Sequence, residues 1–196
     1  MRGKSLLLGI VGALALSAST LATGFAGINV TLETSLGNIV LELDPVHAPR
    51  SVANFLRYVA EKHFDNTLFY RVEPGFVIQA GSYGADGVGR ATHDPIPLEA
   101  NNGLKNVRGA ISMARTDDPN SADAEFFIVL ADNPALDHQP GDPGNATGYA
   151  VFGHVVEGMD VVDKIAMVPR GGEGPFPAAS PKTPVVIRRA LQLPPP

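Results

Sequence analysis

The stretch "FYRVEPGFVIQAG", residues 69–81, decides how this chain is read. Two short runs rich in Phe, Tyr, Val and Ile flank a Pro-Gly pair, the pattern of two strands joined by a turn. Arg71 stands inside the first run and Gln79 inside the second. The turn decides which face these polar heads take. If Pro74-Gly75 alone connects the strands, Arg71 lies opposite Ile78 and Gln79 takes the other face. If the connection is Glu73-Pro74-Gly75, Arg71 lies opposite Val77 and Gln79 opposite Phe69, so Arg71, Val77 and Gln79 line one surface. A one-residue slip reverses the outcome, and the pattern alone leaves both open. The plainest use of such an arginine is on a wet outer face, with its stem covering apolar surface.

Outward from this hairpin, the pattern repeats and then changes period. "INVTLETSLGNIVLELD", from residue 28, alternates apolar and polar residues on either side of Ser-Leu-Gly-Asn, which predicts an antiparallel hairpin. In "DPVHAPRSVANFLRYVAEKHF", Val52, Phe55, Leu56 and Val59 recur at helical spacing, and Pro49 suits a first helical turn. Strands are predicted at 68–72, 76–80, 108–114, 126–131 and 149–153. A second amphipathic helix follows near 157–167, and "TPVVIRRALQL" supplies a last strand. Many short strands with two well-separated helices predict an antiparallel barrel whose ends the helices cap, although a sandwich fits the same pattern. The Gly/Pro/Asp-rich segments 81–95, 132–148 and 169–184 read as polar surface loops that can carry function.

The 196 residues favour one domain with a substantial core. The first 26 read differently. Arg2 and Lys4 form a basic end, Ser5 to Leu16 is almost wholly apolar, and small residues follow. That order is a secretory signal peptide, too short and wrongly flanked for a membrane anchor. Cleavage is expected after Ala26, with Ala22 as the alternative. A domain over 27–193 and a disordered tail at 194–196 remain. Removing Arg2 and Lys4 moves the formal charge from −5 to −7. An acidic chain without a Lys/Arg cluster is a poor partner for nucleic acid. With no cysteine there is no disulfide framework and no thiol nucleophile, which in an exported chain suits a bacterial periplasm or exterior.

Other chemistries find little support. The five histidines, at 47, 63, 93, 138 and 154, have no metal-ligand spacing. No serine sits in a nucleophile-elbow context. "GADGVGR" at 84–90 does not follow a buried strand and is read as a flexible loop, and "GNATG" and "GGEGPFP" as turn chemistry.

The segment 69–81 resembles the signature of the cyclophilin family of peptidyl-prolyl cis-trans isomerases. "LETSLGNIVLELDPVHAPRSVANFLRYV", "EANNGLKNVRGAISMAR", "AEFFIVLADNPALD" and "GYAVFGHVVEGMDVVDKI" resemble further segments of that family, in the same order, over residues 29 to 193. The likeness is greatest to the exported bacterial branch. It implies a closed eight-stranded antiparallel barrel capped by two α-helices, and the second of the two registers. It also implies an isomerase of X-Pro bonds in folding proteins, with proline-containing segments as partners and no cofactor. A monomer is expected, and the short apolar run predicts no stable membrane insertion after signal cleavage. Arg71 and Gln79 take the catalytic positions. Phe76, Val77, Phe127 and Leu136 take those of the proline pocket, and Ala114 one that contacts substrate backbone.

Three positions depart from the family pattern. Tyr149 stands where many members have histidine at the pocket rim. Ala135 replaces an aromatic residue, commonly the tryptophan that the resemblance ties to cyclosporin, so weak cyclosporin binding is expected. Glu125 replaces a glutamine, and its carboxylate could either pair with Arg71 or accept a hydrogen bond from substrate backbone. The alternative to an enzyme is a proline-segment binding module or chaperone that keeps the groove with weak or no isomerase activity.

Overall fold

The alternation in the first hairpin becomes the inside and outside of a barrel. Val30, Leu32, Ile39, Leu41 and Leu43 are buried in the central core, while residues between them turn outward. A computed structural model describes residues 27–141 and 147–194. The predicted signal segment 1–26 and the end of the tail lie outside the described residues. The strands are β1 (Ile28–Thr34), β2 (Gly37–Leu43), β3 (Thr67–Glu73), β4 (Val77–Gly84), β5 (Ala110–Met113), β6 (Phe126–Val129), β7 (Val151–Glu157) and β8 (Val186–Gln192). They pair antiparallel in the order β1-β2-β7-β5-β6-β4-β3-β8 and close on themselves. The pattern left barrel and sandwich open; this is the barrel.

Two helices close it, α1 (Pro49–Ala60) and α2 (Met159–Ala166). Pro49 opens α1 as expected, and Val52, Phe55 and Val59 face the core. No local side chain caps this helix. Instead Glu99, remote in sequence, accepts from the backbone N–H of Arg50 (3.1 Å) and from the N–H and hydroxyl of Ser51 (both 2.8 Å). A carboxylate there satisfies orphan donors and complements the helix dipole. α2 buries Val161, Val162 and Ile165.

Aromatic rings fill the barrel. Phe55 lies 5.0 Å from Phe64, 5.4 Å from Phe126 and 5.2 Å from Phe152 between ring centroids. With its interior solid, the barrel leaves a binding site only on its outside. There a second apolar cluster gathers Val77, Ala114, Phe127, Val129, Leu136 and Val151, with Phe76 and Tyr149 packed against it. The two Phe of β6 divide between these clusters, Phe126 inward and Phe127 outward.

The predicted loops are less polar than expected. Within 132–148, Pro134–Leu136 forms a single 3-10 turn that buries Leu136. Within 169–184, Ala179 and Ser180 are buried. Ser180 can be buried because its hydroxyl donates to the carbonyls of Tyr70 and Phe176, 3.0 Å each.

Candidate active site

The β3–β4 hairpin adopts neither register read from the sequence. Glu73 pairs with Val77, Val72 with Ile78, and Arg71 directly with Gln79, so the connection is Pro74-Gly75-Phe76. The N–H of Phe76 donates to the Glu73 carbonyl at 2.9 Å, and Gly75 takes φ +75°, a turn conformation that glycine enters without penalty. One pair further on, Phe69 faces Ala80 and leaves Tyr70 without a partner across the ladder. This bulge explains the side-chain directions. Phe69 and Val72 both enter the core, and Tyr70 and Arg71 both stay out of it. The second register therefore had the faces right and the pairing wrong. Arg71, Val77 and Gln79 share the outer surface.

On that surface Arg71 Nη1 donates to Gln79 Oε1 at 3.2 Å. The amide nitrogen of Gln79 donates to the Tyr70 hydroxyl at 2.6 Å and to Glu125 Oε2 at 3.1 Å. Arg71 forms its ion pair with Glu73 (Nε–Oε1 3.8 Å) and not with Glu125, whose carboxylate is engaged by Gln79. Burial, and then the neighbouring charge and hydrogen bond of Glu125, push the Tyr70 phenol far above its ordinary range. It stays protonated throughout physiological pH.

A cavity of about 690 Å³ opens beside this network. Its lining includes all nine residues named from the sequence: Arg71, Gln79, Phe76, Val77, Ala114, Glu125, Phe127, Leu136 and Tyr149. The apolar half is built by fixed backbone. The Leu136 carbonyl accepts from the Tyr149 N–H (2.9 Å) and from the amide of buried Asn106 (3.0 Å), which anchors the 3-10 turn. Phe127 meets Tyr149 edge-on at 5.5 Å, and the Arg115 guanidinium covers the Tyr149 ring at 4.9 Å. Ala114 reaches the floor through its N–H bond to the Glu125 carbonyl, 2.9 Å. Ala135 is exposed and is absent from the lining.

The hollow is thus apolar on one side, with a cationic fork of donors beside it. The sequence model of the family described as Cyclophilin type peptidyl-prolyl cis-trans isomerase/CLD matches residues 29–191. The chain belongs to the cyclophilin family. This cyclophilin is an enzyme of the peptidyl-prolyl cis-trans isomerase class, as its relatives are named. It is 46% identical over 188 residues to peptidyl-prolyl cis-trans isomerase A of Dickeya dadantii, covering 95% of this chain and 96% of that protein. It is 48% identical over 145 residues to peptidyl-prolyl cis-trans isomerase B of Escherichia coli, covering 74% and 88%. Its barrel superposes on a Cryptosporidium parvum cyclophilin crystal structure with a TM-score of 0.73 at 24% identity, covering 87% of this chain and 99% of that one, a likeness of fold.

Several groups lining this cyclophilin's groove were not singled out in the sequence. Glu73, Ser82, Arg115, Thr116, Ser121 and Asp123 make a polar end, and Phe176 adds an aromatic ring. The signal for Phe176 was its place as a lone aromatic between two prolines in an otherwise polar loop. Tyr70 had no signal, because only the bulge brings it to Gln79.

Proposed function

We propose that this cyclophilin turns X-Pro peptide bonds in polypeptides folding after export, with Arg71 as hydrogen-bond donor to the prolyl nitrogen. The peptide bond resists rotation by about 18–20 kcal/mol because of its partial double-bond character. Before proline the two isomers are close in energy yet exchange slowly enough to limit folding. No covalent bond breaks, so the protein needs only to hold the twisted amide better than either planar form. Twisting removes resonance, reduces charge separation and returns a lone pair to the nitrogen. An apolar hollow disfavours the polar planar states, and a donor held ready at that nitrogen favours the twisted one.

The single observation that carries this reading is the Arg71 guanidinium tethered to Gln79 beside a hollow lined by Phe76, Val77, Phe127 and Leu136. Ala114, Glu125 and Tyr149 line the path of the flanking peptide. Residues 1–26 support an exported setting, by their basic end and apolar run. A monomer suits a barrel that closes on itself and leaves no free sheet edge for a second copy. The aromatic-free Ala135 supports weak cyclosporin binding.

The test is a prolyl-peptide isomerisation assay on the wild type and Arg71→Ala. Removing one preorganised donor is expected to lower kcat/KM by about 10²–10³. Equal rates for the two proteins, with peptide binding kept, would leave a binding module in place of this mechanism.

A further inference from the structure

The strap between α2 and β8 reaches the groove at one point, Phe176. Its ring centroid lies 5.8 Å from the Arg71 guanidinium carbon, and that of Phe76 lies 5.7 Å from the same atom. A guanidinium within about 6 Å of an aromatic face is attracted by the ring quadrupole. Phe176 also stacks on Tyr70, 6.0 Å between centroids and 20° between planes, so it touches both ends of the Arg71–Gln79–Tyr70 chain of hydrogen bonds.

The strap is built to hold the ring there. The Phe176 carbonyl accepts from the N–H groups of Ala179 and Ser180, 2.8 Å each, and from the Ser180 hydroxyl at 3.0 Å. The Val72 N–H donates to Ala179 at 2.9 Å, tying the strap to β3 one residue from Arg71. At the strap's base, Arg170 approaches Glu73 Oε2 at 3.6 Å, while the other oxygen of Glu73 faces Arg71. Gly174 is required: a Cβ there would stand 2.6 Å from the Ser180 hydroxyl, at φ +142°.

We infer that Phe176 is a positioning residue for Arg71, holding the guanidinium at the edge of the proline hollow. This rests on the reading of Arg71 as the donor to the prolyl nitrogen. Phe176 is 47% exposed and lies outside the central core cluster, and its ring packs on Tyr70 and the Arg71 guanidinium at the groove.

Leucine keeps the apolar contact and removes the quadrupole; tyrosine keeps both. Phe176→Leu is therefore expected to lower kcat by about five- to tenfold with KM little changed, and Phe176→Tyr to restore most of the rate. In an Arg71→Ala background the leucine substitution is expected to have no further effect. The Arg71 Nε–H resonance, followed by NMR relaxation, is expected to become more mobile in Phe176→Leu and not in Phe176→Tyr. Wild-type kcat together with an unchanged Arg71 order parameter in Phe176→Leu overturns the inference. If Arg71→Ala matches the wild type in rate, the reading of Arg71 as donor fails, and the NMR comparison alone decides whether the ring positions the side chain.

Discussion

Gln79 carries a donor and an acceptor at one end, and its neighbours leave it one orientation. Arg71 can only donate and a carboxylate at Glu125 only accepts, so the Gln79 oxygen must face the first and its nitrogen the second. The direction of the chain is thus set by charge at both ends. Gln79→Glu would put two acceptors face to face at about 3 Å, with a loss of about 1–3 kcal/mol in stability and a fall of at least about tenfold in kcat/KM. Adding Glu125→Gln supplies a donor and is expected to recover much of both. Denaturation midpoints and rates of the two single variants and the double variant check this, and additive losses would remove the coupling. Arg71 and Gln79 were legible as polar heads in a half-apolar hairpin, and the family resemblance supplied their roles. Their mutual pairing was not legible, since the three-residue connection Pro74-Gly75-Phe76 that sets it leaves no mark in the alternation of residues.

Elements were read more securely than their edges. Helical spacing in 49–60 and alternation in 28–43 both carried through, because long amphipathic periods outweigh local detail. The turn at Pro134–Leu136 was read as loop because three residues are too few to show a period. A further consequence lies where the turn after α1 meets β4. His63, just beyond the helix, donates through Nε2 to the Gly81 carbonyl at 2.8 Å and packs on Tyr58 at 4.6 Å. Burial pushes its pKa down; the nearby Arg90 charge pushes the same way, and the Gly81 bond opposes them. With the folded value below the ordinary value of about 6.5, the unfolded chain takes up the proton first. His63 therefore favours the native state fully above that pH, and the contribution falls as pH drops below it. Urea midpoints at pH 7.5 and 5.5 are expected to separate more for the wild type than for His63→Gln, which keeps a donor and does not titrate. Equal separation would remove His63 as the source.

At the scale of the molecule, the barrel was legible in outline from its many short strands and two helices; the alternation left closure open, because a sandwich offers the same, and the family resemblance supplied it. What decides for closure is non-local: β8 pairs with β1 on one side and with the start of β3 on the other. The ring is complete within the described residues, beginning with Ile28 in β1. Deleting residues 1–26 is accordingly expected to leave the melting temperature unchanged. Expression of the full sequence in a bacterium is expected to yield a periplasmic protein whose mass begins at Gly27. A cytoplasmic product of full mass would refute export. The meeting of the first and last strands also fixes when folding can finish. Until residues 186–192 leave the ribosome, β1 and β3 present bare edges with no neighbour between them, open to pairing with any passing strand. The ring therefore closes only after β8 has emerged, and a nascent chain that terminates before that strand is left as a split ring prone to self-association.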